Sequence, residues 1–245
     1  MLTFKTLASG STGNAYVVSD GNTQLLLEAG ITFKKVQELM NFETSKLVAV
    51  LITHEHGDHV KGLKTFLDRG TNVYMTKGTK EALNLTHHRV KTATLDETRS
   101  TNEAKVYKPF RVGTFTILPF EVSHDVNEPV GFLIQSDNGK KVVFFTDTYY
   151  CKFNFSGVHL YCVECNYDAL TIEENVASGK LHPAQRKRVL KSHMSLENLT
   201  NFFKVSDLSK CEEIFLLHLS DRNANRERIF NEVAKVTGKQ ITIVG

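Results

Sequence analysis

A short histidine-rich segment of this sequence has the residue types and spacing of a metal site. His54, His56, Asp58 and His59 supply three imidazoles and one carboxylate within six positions, directly after the apolar run 47–52. Alternation along an extended chain places His54 and His56 on one side, and a turn then brings Asp58 and His59 to a second point nearby. Imidazole and carboxylate are ligands suited to zinc and related metals, and no cysteine sulfur is present. The segment therefore predicts a loop that binds two metal ions in a hydrolytic site.

Three further residues of ligand type follow apolar runs elsewhere in the chain. His124 follows 115–122, Asp147 follows 142–145, and His218 follows 213–217. Functional sites are commonly assembled from loops at one edge of a rigid sheet. We therefore expect these three residues to join the histidine-rich segment in one site.

The elements that must position these residues alternate between strands and helices. The first thirty residues predict an antiparallel meander, and the strand at 47–52 is followed by one predicted helix from Val60 to about Arg69. The polar run from Thr86 to Ala104 predicts a surface loop. Strands and helices then recur in the second half, so the pattern predicts an α/β fold with two sheets packed face to face between helical layers.

Composition sets the broad class of the protein. A length of 245 residues fits one α/β domain spanning 1–245, and 41% hydrophobic with 23% charged residues is typical of a globular protein. No apolar run approaches the roughly 20 residues of a membrane-spanning helix, and no secretory signal is recognised, so we expect a cytoplasmic protein. Four cysteines are too few for a disulfide framework and are expected to be reduced thiols. A net charge of +3 allows an anionic substrate.

With these motifs taken together, the sequence resembles the metallo-β-lactamase-fold hydrolases over nearly its whole length. The resemblance implies an αββα sandwich with two mixed sheets between helical layers. It also implies two divalent metal ions, with Zn²⁺ expected first and Mn²⁺ as the alternative. One departure is Glu28, where the family usually has an aspartate that supports the metal loop. The implied ligands are His54, His56 and His124 for one metal, Asp58, His59 and His218 for the other, and Asp147 as the bridge.

Two other segments resemble the phosphodiesterase branch of that family, which includes ribonuclease Z. They are 164–168, which begins with Glu164, and 193–195, which begins with His193. Ser195 is also predicted to cap the helix that follows, so His193 would precede a helix N-terminus, where backbone amides favour anions. On this resemblance Glu164 positions His193, and His193 contacts the phosphate and assists the leaving oxygen.

The chemistry expected from such a site is hydrolysis of phosphodiesters. Two metals about 4 Å apart lower the pKa of bound water toward roughly 7 and can hold phosphoryl oxygens as charge redistributes. Asp58 would orient the attacking water. Glyoxalase-like and β-lactam chemistry fit less well, because they leave Glu164 and His193 without a role.

The substrate is narrowed to nucleotides by resemblance to two groups, the phage anti-Pycsar enzymes and the YycJ-like exonucleases. The mild charge, and the lack of a large inserted clamp domain or a basic glycine-rich arm, favour a 3′,5′-cyclic mononucleotide. This would be a phage protein acting in a host cytoplasm to evade immunity. A DNA or RNA exonuclease is the main alternative, and a non-catalytic nucleotide-binding protein is the third. The exonuclease stays the main alternative because an oligomer could assemble a basic channel that one chain conceals. We also expect a homodimer.

Overall fold

The computed structural model describes residues 1–101 and 104–244, and it divides the chain into two compact units. Unit 1 consists of Met1–Glu121 with Val126–Lys140, and unit 2 consists of Val122–Asp125 with the chain from Lys141 onward. Neither unit is one continuous segment of chain. The single domain expected over 1–245 stays a prediction.

Unit 1 contains a six-stranded mixed sheet in which the spatial order of the strands follows the sequence. The first three strands pair antiparallel, as the meander predicts, and the remaining pairs are parallel. The strands are β1 (Thr3–Ala8), β2 (Ala15–Ser19), β3 (Gln24–Leu27), β4 (Leu47–Leu51), β5 (Asn72–Met75) and β6 (Val90–Thr92), and the helices are α1 (Phe33–Leu39), α2 (Gly57–Val60), α3 (Leu63–Leu67) and α4 (Lys77–Ala82).

The core of unit 1 lies where alternate residues of this sheet meet the helices. Leu26, Val50 and Val73 come from neighbouring strands and pack in one cluster with Val36 of α1 and Phe66 of α3. All five are fully buried. Burying one such side chain contributes roughly 1.5–3 kcal/mol, so this cluster fixes the sheet from which the histidine-rich segment extends.

The single helix expected from Val60 to Arg69 is wrong, because the chain forms two short helices separated near Gly62. The Gly62 amide donates to the carbonyl oxygen of Ala29, and a Cβ at Gly62 would overlap the carbonyl oxygen of Ile31. The break therefore arises from tight backbone packing against the chain after β3.

The polar run from Thr86 to Ala104 also differs from the expected loop. It contains the strand β6, which pairs parallel with β5. Within the run, residues 102 and 103 lie outside the described residues. Unit 1 is completed by three antiparallel strands, β7 (Phe110–Val112), β8 (Phe115–Glu121) and β9 (Val130–Ser136).

Unit 2 contains four parallel strands in the order β13-β12-β11-β10. These strands are β10 (Lys141–Phe145), β11 (Leu160–Glu164), β12 (Glu213–Leu217) and β13 (Gln240–Ile243), and the helices are α5 (Ala169–Ala177), α6 (Pro183–Ser192), α7 (Leu196–Val205) and α8 (Arg226–Thr237). Because the four strands are parallel, their carboxyl ends lie at the same edge of the sheet. Residues that directly follow the strands are therefore close together at that edge.

The elements confirm the α/β class. All four cysteines are buried free thiols, as expected. None of the described helices has the length and apolar character needed to cross a bilayer.

Candidate metal centre

Unit 1 brings together the four predicted ligands of the histidine-rich segment. His54 follows β4, His56 is the N-cap of α2, and Asp58 and His59 lie in the first turn of that helix. The ring centroid of His54 lies 4.9 Å from that of His56 and 4.2 Å from that of His59. His54 and His59 are buried, while His56 and Asp58 are half-buried. The strand end and the short helix therefore gather these side chains as their spacing predicts.

Two buried residues hold this segment in place. The Asn14 side-chain amide donates to Asp58 Oδ2 and contacts His59 Nε2, both at 3.1 Å. Glu28 Oε2 lies 3.5 Å from His59 Nδ1 and accepts a 3.4 Å hydrogen bond from the Thr53 amide. The longer carboxylate of Glu28 thus contacts the histidine-rich segment at both Thr53 and His59.

Unit 2 brings Asp147, Glu164 and His218 to one edge of its parallel strands. Asp147 follows β10, Glu164 ends β11, and His218 directly follows β12. Asp147 and His218 have left-handed backbone with φ of 48° and 55°, and Glu28 in unit 1 has φ of 67°. Such strain in residues other than glycine costs on the order of 1–3 kcal/mol and tends to occur at functional sites.

The Glu164 carboxylate organises this edge. It is fully buried, and its Oε2 accepts hydrogen bonds from the amides of Thr148 at 2.9 Å and Met194 at 3.0 Å. Its Oε1 lies 2.6 Å from His193 Nδ1 and 3.2 Å from His218 Nδ1. Since a carboxylate only accepts, these contacts place protons on both Nδ1 atoms.

The pKa values of Glu164 and His193 shift in opposite directions. Burial alone would raise the pKa of Glu164, but the neighbouring imidazoles outweigh burial and lower it. Burial alone would lower the pKa of His193, but the Glu164 carboxylate outweighs burial and raises it. The pair therefore favours a carboxylate beside an imidazolium, which is a proton donor for a leaving oxygen.

His124 also belongs to unit 2 and lies near Asp147. Its Nδ1 lies 3.0 Å from the carbonyl oxygen of Ser192, which can only accept, so Nε2 carries the lone pair. That Nε2 lies 3.9 Å from Asp147 Oδ2. One ligating atom each from Asp147, Glu164, His193 and His218 lies within 4.8 Å of the others.

The donor sets fit divalent metal ions. Each unit offers imidazoles and at least one aspartate, with no cysteine sulfur among the predicted ligands. His124 and His218 each direct Nδ1 at an oxygen atom, which leaves Nε2 as the ligating atom. Metal-bound histidines commonly have their other ring nitrogen held in this way.

Sequence reasoning missed two supporting asparagines. Asn14 follows Gly13, whose φ of 154° places the loop against Gly30, but only a weak turn signal marked this segment. Asn166 donates its side-chain amide to the His218 carbonyl at 2.9 Å. Ser195 caps α7 by accepting from the Asn198 amide at 3.1 Å, as predicted.

Comparison with known proteins gives a family and two named relatives. The family model described as "Beta-lactamase superfamily domain" matches residues 23–199. The chain is 29% identical over 234 residues to exodeoxyribonuclease WalJ of Streptococcus pneumoniae, covering 91% of this chain and 84% of that protein. It is 28% identical over 247 residues to exodeoxyribonuclease YycJ of Bacillus anthracis, covering 96% and 89%.

A solved structure with a similar fold is the metallo-beta-lactamase fold protein YhfI from Bacillus subtilis. It matches with a TM-score of 0.70 at 18% identity, covering all of this chain and 97% of that one. At this identity the match concerns the fold alone. It confirms the αββα sandwich that the sequence predicts.

Proposed function

This chain belongs to the β-lactamase superfamily as a metal-dependent hydrolase, and from that premise we propose that it cuts the phosphodiester bonds of DNA. The observation that carries the proposal is the buried Glu164 carboxylate 2.6 Å from His193, beside Asp147 and His218. An imidazolium at this position suits a phosphoryl oxygen and a poor leaving group. The two relatives named as exodeoxyribonucleases support DNA as the polymer.

We further propose that the two ligand sets bind two divalent metal ions, Zn²⁺ first and Mn²⁺ as the alternative. Bound divalent ions lower the pKa of water toward neutrality and neutralise phosphoryl charge. Family membership and the Nδ1-held imidazoles support this assignment. The proposed ligands are His54, His56, Asp58, His59, His124, Asp147 and His218.

Three side chains have proposed roles in the reaction. Asp58, held by Asn14, would orient the attacking water. His193 would contact the phosphate and donate a proton to the leaving oxygen, since its pKa is raised. Glu164 would position His193 and keep it protonated, which makes it a positioning residue.

A 3′,5′-cyclic mononucleotide stays a predicted substrate for the same chemistry, and a non-catalytic nucleotide-binding role stays the third alternative. The homodimer also stays a prediction, which light scattering after size-exclusion chromatography would check. The names of the relatives favour the polymer over the cyclic mononucleotide.

The test is hydrolysis by the metal-loaded protein of labelled single-stranded DNA, duplex DNA, a tRNA precursor and cyclic purine and pyrimidine mononucleotides. We expect DNA to be cut and His193→Ala to lose most of that activity. A matched control is His159→Ala, because His159 precedes β11 at the end opposite Glu164 and its Nδ1 accepts from the Lys141 amide. Turnover of cyclic mononucleotides alone would overturn DNA as the substrate.

A further inference from the structure

A basic helix leads directly into the site of unit 2. Residues 180–193 contain five of the chain's 30 Lys and Arg residues and no Asp or Glu. They span α6, whose last residue, Ser192, directly precedes His193. A chain with a net charge of only +3 therefore concentrates positive charge beside its reacting groups.

The apolar and the charged side chains of α6 lie on different sides of the helix. Val189 and Leu190 pack toward the cluster of Tyr167, Ile172 and Leu181 under α5. Lys187, Arg188 and Lys191 are exposed at i, i+1 and i+4 and form one basic surface.

The basic surface has few acidic neighbours. In residues 180–193, Arg186 is ion-paired with Glu173 and His193 with Glu164, and Asp125 lies close enough to Arg188 to interact with its charge. Among the described side chains, Lys187, Arg188 and Lys191 have no acidic group within ion-pair distance. The basic surface is therefore open to an external anion.

A cleft of about 410 Å³ continues this surface into the site. Ser123, His124, Asp125, Tyr149, Leu190 and Lys191 line it. Its volume lies within the roughly 300–1,000 Å³ of small-ligand pockets. Asp125 is the acidic side chain in the lining, and it accepts a 3.0 Å hydrogen bond from Ser192 Oγ.

The walls of the cleft are fixed relative to one another. His124 Nδ1 contacts the Ser192 carbonyl at the end of α6. The Tyr149 amide donates to the Ser123 carbonyl at 3.1 Å, and the Tyr149 carbonyl accepts from the Asn198 side chain at 2.9 Å. Tyr149 is 43% exposed on this held backbone, so its side chain is accessible to a flat partner.

We infer that this cleft and the basic surface of α6 bind a single strand of DNA, with Tyr149 stacking on a base and Lys187, Arg188 and Lys191 contacting phosphates. Exposed aromatic rings beside basic side chains are the usual means of holding single-stranded nucleic acid. Bases of a duplex are already stacked on one another, so an exposed aromatic ring favours the unpaired bases of a single strand. This inference rests on the proposed function and names the form of its substrate.

The first experiment measures binding of a labelled phosphorothioate single strand, which resists cutting, to the metal-loaded protein. Fluorescence anisotropy would be followed from about 0.05 to 0.2 M salt. Lys187→Ala/Arg188→Ala/Lys191→Ala should weaken binding roughly 10- to 100-fold at low salt. It should also reduce the slope of log K against log salt by about 2, the counterion-release value for three phosphates on a single strand.

Two matched variants separate this role from general charge loss and from misfolding. Lys204→Ala/Lys210→Ala/Lys235→Ala removes the same charge from exposed positions outside α6 and should bind like wild type. Lys187→Arg/Arg188→Lys/Lys191→Arg keeps the charge and should retain the wild-type slope. Equal losses in the α6 and control triple variants would overturn the inference.

Stacking is tested at Tyr149. Tyr149→Ala should weaken binding roughly 5- to 150-fold, whereas Tyr149→Phe keeps the ring and should stay close to wild type. Equal affinity of both variants and wild type would overturn the stacking role. A tenfold preference for an RNA strand or for duplex DNA would overturn single-stranded DNA as the ligand.

Failure of this inference and failure of the proposed function give different results. If wild type cuts DNA while the α6 triple variant keeps wild-type affinity and slope, the inference fails alone. Binding by wild type that depends on α6, without cutting, would overturn the proposed function and support the inference. A wild-type protein that neither binds nor cuts DNA would overturn both.

Discussion

Replacing Glu164 with glutamine tests how this carboxylate sets the proton positions of two imidazoles. Glu164 Oε2 accepts from the amides of Thr148 and Met194, and both are donors that must be satisfied in a buried site. The carbonyl oxygen of glutamine must therefore take the Oε2 position. Its NH₂ group then lies where Oε1 contacts His193 at 2.6 Å and His218 at 3.2 Å.

That exchange should change the protonation of both histidines. An amide NH₂ donates, so each Nδ1 must accept: the His218 proton moves to Nε2, and His193 loses its Nδ1 proton and becomes a neutral imidazole. A protonated Nε2 on His218 cannot ligate a metal, and His193 loses the carboxylate that raises its pKa. We expect metal affinity to fall about 10- to 100-fold, as when partners of metal ligands are removed elsewhere. The rate should fall about 10²- to 10⁴-fold, the usual contribution of a proton-transferring group.

The assay combines enzyme kinetics with NMR measurement of the histidine protonation states. kcat and KM for single-stranded DNA would be measured at saturating metal, and ring ¹⁵N NMR would report which nitrogen of each histidine is protonated. Glu174→Gln is the matched control, because Glu174 is exposed on α5 and should behave as wild type. The reasoning is refuted if Glu164→Gln keeps both protons on Nδ1, or keeps wild-type kcat and metal affinity.

Three smaller perturbations test other parts of the structure. Gly62→Ala should lower the free energy of unfolding in urea by about 3 kcal/mol, because the new Cβ would overlap the Ile31 carbonyl oxygen. Gly57→Ala is the control: its Cβ would enter open space, and stability should change by less than about 1 kcal/mol. Equal effects of the two substitutions would contradict the packing argument. Asn14→Ala should weaken metal binding about tenfold, measured by competition with a chelator, and Asn22→Ala at an exposed position is the control. An unchanged metal affinity of Asn14→Ala would show that Asn14 does not hold Asp58 and His59 in place for metal binding. Burial alone would raise the pKa of Asp168, but hydrogen bonds from the Asn225 and Thr171 amides and from Arg228 outweigh burial and lower this pKa. Asp168→Asn should therefore cost about 2 kcal/mol at neutral pH, and this difference should shrink as pH falls below about 4. A difference that stays constant down to about pH 3 would show that the charge of Asp168 does not stabilise the fold.

Residues at strand ends were predictable from the sequence because the signal is local. An apolar run followed by one ligand-type residue marked Asp147 after β10 and His218 after β12, and both lie at the shared edge of parallel strands. The histidine-rich segment after β4 carried the same signal in a denser form.

Features that depend on distant packing were not predictable in the same way. The break near Gly62 is imposed by the Ile31 carbonyl, thirty-one positions earlier in the chain. β6 forms in a polar run because it pairs with the parallel strand β5. The sequence of α5 has no apolar pattern strong enough to predict a helix. The contact of Asn14 with Asp58 depends on the fold, because the two residues are 44 positions apart in the sequence.

The most direct test of the central claim is DNA cutting by one preparation in three states: loaded with metal, stripped by chelation, and reloaded with Zn²⁺ or Mn²⁺. Metal content would be measured by mass spectrometry on the same samples that are assayed with labelled single-stranded DNA. We predict about two ions per chain in the loaded protein, loss of cutting when they are removed, and recovery on reloading. Cutting at the loaded rate by a sample shown to be free of metal would contradict the account.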